Sequence, residues 1–130
     1  GARKRGNMAK ILIVDDSRTS RKFLRDILEK SGNEIVGEAV NGREGFDLYQ
    51  KLRPDIVTMD ITMPVMDGLD SLKLIMRFDP AAKVVMVTAA GQQQKMLEAV
   101  KLGALEFIAK PFDTPTIAET VNKIMEKDDE

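Results

Sequence analysis

Five times along this chain, a short run of apolar and largely β-branched residues gives way to a stretch whose apolar side chains recur at helical spacing. No other feature of the sequence constrains the fold as strongly. The runs are residues 10–14 (KILIV), 34–40, 55–59 (DIVTM), 83–88 (KVVMVT) and 105–109. The first is apolar without alternation, as a strand covered on both faces must be. Helical stripes follow the runs in turn: Phe23, Leu24, Ile27 and Leu28; Phe46, Leu48, Tyr49 and Leu52; Leu69, Leu72, Ile75 and Met76; Met96, Leu97 and Val100; and Ile117, Val121, Ile124 and Met125. Ser17 stands where the first helix needs an N-cap, and Gly32 where it should close. Asn41 with Gly42, Pro54, Asp79 with Pro80, Gly91 and Gly103 mark the other boundaries. Five successive βα units predict an α/β fold, a (βα)5 doubly wound five-stranded parallel sheet with helices on both faces.

The length, 130 residues, suits one domain, and residues 8–130 show no repeat, linker or low-complexity segment. Residues 1–7 carry Arg3, Lys4 and Arg5 with no apolar stretch behind them. They read as an expression leftover or a disordered N-terminus rather than a signal peptide, with Met8 as the natural start. The charged tail, residues 127–130, is expected to fray.

Composition narrows the chemistry. The chain has no cysteine and no histidine. That removes disulfides, thiol chemistry, the usual zinc sites, a Ser-His-Asp triad and imidazole acid–base catalysis. What remains is carboxylates, hydroxyls, lysine and backbone. A net charge of −1 supplies no field toward nucleic acid or membrane, and no apolar run approaches the ~20 residues of a membrane span. A cytoplasmic monomer is the expectation.

In a parallel α/β sheet, sites lie at the carboxyl ends of the strands. Here the first strand ends in Asp15 and Asp16, the third in Asp60, the fourth in Thr88 and the fifth in Lys110. A parallel sheet brings all five to one edge. Carboxylates gathered there repel: at ~4 Å and an effective dielectric of ~20, each ionised pair costs about 4 kcal/mol. A divalent cation offsets that, and an all-oxygen donor set favours Mg²⁺ over Zn²⁺. Mg²⁺ needs one or two carboxylates plus phosphate oxygens, which leaves a carboxylate free to act as a nucleophile toward phosphorus. Lys110 adds a positive charge and Thr88 a hydroxyl donor, and phosphoryl transfer asks for little more than positioning and charge neutralisation. Asp15 and Asp16 are adjacent and suit holding metal from one loop. Asp60 stands alone opposite them beside a turn, and is the candidate phosphoacceptor.

Each residue alone has a plainer explanation. Asp15 and Asp16 could complement a helix N-terminus for ~1 kcal/mol. Asp60 could be a turn residue, Thr88 an ordinary strand residue and Lys110 a solvated charge. The eight methionines read as core filler, with Met63 and Met66 as candidates for a partner contact. Coincidence at successive strand ends is what the plainer explanations leave unaccounted for.

The groups Val14, Asp15, Asp16, Ser17; Met59, Asp60, Ile61, Thr62, Met63, Pro64; Asp67, Gly68; Thr88, Ala89; Gly103, Ala104; and Lys110, Pro111, Phe112 stand in the order and at the spacings of the response-regulator receiver family. The chain resembles that family from residue 10 to residue 127. Asn41, Gly42, Arg43 and Glu44, with Gly91, Gln92 and Gln93, resemble its stand-alone chemotaxis regulators in particular. The resemblance implies a flavodoxin-like strand order 2-1-3-4-5 and phosphorylation of Asp60 by a histidine kinase. It implies Mg²⁺ on Asp15, Asp16, Asp60 and the backbone carbonyl of Thr62, with Thr88 and Lys110 on the phosphoryl group. It further implies a cis peptide at Lys110-Pro111 and a switch formed by Thr88 and Phe107 that remodels the surface of helix four, strand five and helix five. That surface would serve an output protein such as the flagellar motor switch, and a phosphatase is a further expected partner. One departure stands out: chemotaxis regulators often carry tyrosine at position 107, and phenylalanine keeps only the packing half of such a switch.

Two readings compete. A Mg²⁺-dependent aspartyl phosphohydrolase would want an acid two residues after its nucleophile, where this chain has Thr62. An FMN binder would cradle a phosphate with Ser17, Thr19 and Ser20, but Asp15 and Asp16 would repel it, and Tyr49 alone offers little to stack on flavin. No turnover of an external substrate is expected. The chain ends soon after helix five with no DNA-binding domain, and it could equally be a receiver excised from a larger regulator; the stand-alone reading is preferred because the likeness to chemotaxis regulators extends beyond the shared site.

Overall fold

The computed structural model describes residues 9–128. The readings of residues 1–7, of Met8 as a start and of the last two residues fall outside the described residues. Strand β1 (Lys10–Val14) leads to α1 (Arg18–Lys30), β2 (Glu34–Ala39), α2 (Gly42–Leu52), β3 (Ile56–Asp60), α3 (Gly68–Phe78), β4 (Val84–Thr88), α4 (Gln93–Leu102), β5 (Glu106–Ala109) and α5 (Thr114–Asp128). The five strands form one parallel sheet in the order β2-β1-β3-β4-β5. This is the predicted topology. The order reverses beside β1, so the loops after β1 and β3 lead to helices on opposite faces and leave a crevice at the carboxyl edge.

The unbroken apolar runs are explained by side chains alternating between two cores. Ile11 and Ile13 of β1, Ile56 of β3, Val85 of β4 and Ile108 of β5 pack beneath α1 and α5, against Leu24, Leu28, Ile117 and Val121. Leu12, Val14, Val57, Met59, Val84 and Met86 go to the opposite face, against Tyr49 of α2, Leu72 and Ile75 of α3 and Ala99 of α4. Each fully buried aliphatic side chain of this kind contributes about 1.5–3 kcal/mol. Among the described residues no helix is long and apolar enough to cross a membrane.

Three helices start on a side-chain cap. Ser17 accepts from the Ser20 N–H, Asn41 from Glu44 and Asp67 from Asp70, each worth about 1 kcal/mol. β2, β4 and β5 differ from the expected runs by one residue at an end, with β2 stopping at Ala39, β4 starting at Val84 and β5 at Glu106. Two further details differ from the expectation. β3 starts at Ile56, because Asp55 turns to the edge of β1: its N–H donates to the Lys10 carbonyl at 2.7 Å and its Oδ2 accepts the Lys10 N–H at 2.8 Å. In α4, Leu97 and Val100 are 64% and 49% exposed. The residue that α4 buries fully is Ala99 and Met96 is half-buried, so two of the three apolar side chains that made this helix legible point outward.

The loop from β3 to α3 is pinned at both ends. The Gly68 N–H donates to the Ile61 carbonyl at 2.7 Å, and the Gly42 N–H to the Met66 carbonyl at 2.8 Å. The Ser71 hydroxyl closes the set on the Gly42 carbonyl at 2.8 Å. A Cβ at Gly68 would overlap the backbone carbonyl oxygen of Asp60, whereas one at Gly91, which has φ +85, would meet nothing. Gly68→Ala should therefore cost more than about 2 kcal/mol in urea denaturation. Gly91→Ala, which carries only left-handed backbone strain, should cost about 1 kcal/mol. Equal losses would refute the close approach.

Candidate functional site

Val14 of β1 pairs with Met59 of β3, so the next residues on the two strands, Asp15 and Asp60, emerge side by side. Asp16 follows in the loop. One carboxylate oxygen from each of Asp15, Asp16 and Asp60 lies within 4.8 Å of the other two. Asp15 and Asp60 are buried and Asp16 is exposed. Thr88, also buried, sits one residue beyond Val87, the partner of Asp60 across β3 and β4. Lys110 follows β5, and its N–H donates to the Thr88 carbonyl at 2.7 Å. Its ammonium lies 3.3 Å from Asp15 Oδ2 and 3.6 Å from Asp60 Oδ2. The Lys110-Pro111 peptide is cis. The five residues expected at one edge are together there.

Charge in this group does not balance. Asp15 Oδ1 accepts the Ser17 N–H at 2.8 Å. Asp15 Oδ2 is buried with no hydrogen bond: Lys110 is close enough to attract it but is not aligned to donate. The Asp60 carboxyl is pushed from an ordinary 3.8 up to about 6. Burial contributes most and the Asp15 charge next. Lys110 opposes them, Asp16 adds to the rise, and the Ile61 N–H pulls slightly down. A buried oxygen without a partner, a carboxyl held above its usual range and three hard oxygen donors within reach of one ion are what a divalent cation would satisfy. The acidic pocket can hold a metal.

The remaining expected residues lie nearby. Thr62 is exposed on the loop two residues past Asp60, and its hydroxyl accepts from Gln92 Nε2 at 2.9 Å. Phe107 is on β5, two residues before Ala109, the partner of Thr88. Its ring is 38% exposed.

Two contributors were not among the candidates. Arg21 donates from Nη1 to the Asp15 carbonyl at 2.9 Å and from Nε to Glu38 Oε1 at 2.9 Å. Glu38 also takes Arg25 Nε at 2.7 Å. Burial would raise the Glu38 carboxyl, but the hydrogen bonds from Arg25 and Arg21 outweigh it and hold it below its usual range. The backbone beneath Asp15 is thus braced from α1 and β2. The signal was present: α1 opens with Arg18 and Arg21 and has no acid in its first turn, the reverse of what a helix dipole favours. The second contributor, Gln92, has no such signal.

A family pattern described as the response regulator receiver domain matches residues 11–122. The chain belongs to that family. Chemotaxis protein CheY of Thermotoga maritima is 51% identical over 115 residues, covering 88% of this chain and 96% of that protein. CheY of Listeria monocytogenes is 48% identical over 116 residues, covering 89% and 98%. Among solved structures, a CheX–CheY–BeF3–Mg²⁺ complex from Borrelia burgdorferi matches with a TM-score of 0.85 and 39% identity, over 88% of this chain and 87% of that one. This is a receiver domain of the CheY type, a signalling module, and its acidic pocket lies at the head of the sheet.

In such a receiver the metal-free site should be a point of strain. Because the Asp60 carboxyl rises from 3.8 to about 6, its contribution to stability is full below about pH 4 and is lost as pH climbs through about 6. Asp60→Asn removes the penalty. In EDTA near pH 8 the variant should exceed the wild type by up to about 3 kcal/mol in thermal denaturation, with the gap closing toward pH 4. A gap that stays constant with pH would contradict the assignment.

Proposed function

We propose that this receiver accepts a phosphoryl group on Asp60 from a histidine kinase. Mg²⁺ would be held by Asp15, Asp16 and Asp60 together with the backbone carbonyl of Thr62. The observation that carries the reading is the placement of three carboxylate oxygens within 4.8 Å of one another against the single ammonium of Lys110. Support also comes from the Borrelia burgdorferi relative, whose complex contains BeF3 and Mg²⁺; BeF3 on a carboxylate has the shape and charge of a phosphoryl group.

A carboxylate of Asp60 attacks the phosphorus in line with the departing group, and the bond formed is an aspartyl phosphate. Bound Mg²⁺ supplies charge neutralisation for the phosphoryl oxygens and for the acidic cluster. Lys110, already poised between Asp15 and Asp60, turns its charge to the transferred oxygens. Thr88 donates its hydroxyl to one of them. Water later takes the phosphoryl group off, so the protein promotes its own loading and unloading without turning over an external substrate.

Thr88 drawn to the phosphoryl group leaves space behind it, and Phe107 on the neighbouring strand fills that space from its exposed position. This remodels the face made by α4, β5 and α5, which an output protein of the chemotaxis machinery, such as the flagellar motor switch, reads. A phosphatase shortens the signal.

With acetyl phosphate and Mg²⁺, intact mass should show an adduct of about 80 Da on the wild type, absent from Asp60→Ala and after EDTA. An undiminished adduct on the Asp60→Ala variant would overturn the assignment. Multiple turnovers on small phosphate esters would instead favour the phosphohydrolase.

A further inference from the structure

Gln92 occupies the N-cap of α4 and caps nothing: its backbone is at φ −107 and ψ 23, and its side chain makes no capping bond. The carboxamide turns the other way. Its Oε1 accepts the Ala89 N–H at 2.6 Å, and its Nε2 donates to the Thr62 hydroxyl at 2.9 Å. Chemistry fixes that orientation, because a backbone N–H can only donate. Ala89 follows Thr88 at the end of β4, and Thr62 is two residues past Asp60. The side chain therefore bridges the two loops that flank Asp60. It also walls a cleft of about 230 Å³ that is lined by Thr88, Ala89 and Lys110 among others.

We propose that Gln92 is a positioning residue: a strap that holds the Ala89 N–H and the start of α4 in the resting arrangement and gives way when the phosphoryl group arrives. This rests on Asp60 being the phosphoacceptor. A charged phosphoryl oxygen is a stronger acceptor than a neutral carboxamide oxygen, because charge-assisted hydrogen bonds are roughly twice as strong. The N–H next to Thr88 is thus contested, and the phosphoryl group wins it. Gln92 then loses one bond, and with it the geometry of the other.

The consequence falls on α4. That helix buries only Ala99 fully, against five buried residues in α3, and its first turn hangs on Gln92 through the Met96 N–H at 3.0 Å. A helix so lightly packed is sensitive to the loss of two hydrogen bonds at its start. The strap thus connects the site to α4 by a route independent of Phe107.

Gln92→Met keeps the length and bulk of the side chain and removes both bonds. Thr62→Val removes one end and keeps the backbone carbonyl. Loading is followed by intact mass with acetyl phosphate in saturating Mg²⁺, and the Ala89 amide by NMR hydrogen exchange in the unphosphorylated protein. Gln92→Met should load about three- to tenfold faster, the size expected from losing a competing hydrogen bond. Its Ala89 amide should exchange about tenfold faster. Thr62→Val should show a smaller rise, and the double variant should load no faster than Gln92→Met alone. Loading of Gln92→Met within about twofold of the wild type, or unchanged exchange at Ala89, overturns the strap while leaving Asp60 as phosphoacceptor. No adduct on the wild type overturns the Asp60 reading and the strap with it.

Discussion

Carboxylates at the head of this sheet repel one another, and the molecule is arranged so that they meet regardless. Asp15, Asp16 and Asp60 bring oxygens within 4.8 Å, where each ionised pair at an effective dielectric of ~20 costs about 4 kcal/mol. The Lys110 ammonium lies within 4 Å of Asp15 and Asp60, and Asp15 Oδ2 keeps no hydrogen bond. What opposes the repulsion is distant from it. Paired strands leave Asp15 and Asp60 no freedom to separate, and the apolar faces beneath them hold the strands. The fold stores a local conflict that a divalent cation would relieve, and that conflict leaves the site responsive to added charge.

How much of this the sequence disclosed follows from the range of each interaction. The strands were legible because burial on both faces forces an unbroken apolar run, as at residues 10–14. Convergence of Asp15, Asp16, Asp60, Thr88 and Lys110 was legible because a parallel sheet puts every strand end on one edge. The strand order itself came with the family resemblance. α5 was read correctly, and its stripe of Ile117, Val121, Ile124 and Met125 is buried. α4 misled: Leu97 and Val100 have helical spacing but face outward, since an apolar stripe shows that a helix is amphipathic without showing what covers it. The bonds from Arg21 to the Asp15 carbonyl and from Gln92 to Thr62 depend on side-chain directions across loops, for which a linear pattern has no period to offer.

The site is supported unequally around its rim. On the β1 side, Arg21 ties the Asp15 backbone to Glu38, which Arg25 holds as well. On the β3 side, a glycine pressed against the Asp60 carbonyl lets the loop lie close. On the β4 side there is one carboxamide and a helix with a single fully buried residue. The clustered carboxylates sit on the braced side, and the lightly packed helix sits on the yielding one. A receiver needs both: rigid placement of its charges for chemistry, and a nearby element whose equilibrium a small contact can tip.

The sheet divides the interior into two packed regions, one beneath α1 and α5 and one beneath α2, α3 and α4. Among the described residues no buried side chain belongs to both. Repacking under α5 need not disturb the layer under α3, since energetic effects of distant, non-touching sites add rather than couple. In evolutionary terms the sheet is a partition wall: lineages can re-tailor one flank for a new partner while the other keeps its fit. This offers a physical reason why a single small scaffold can diversify its conversations without rebuilding its chemistry.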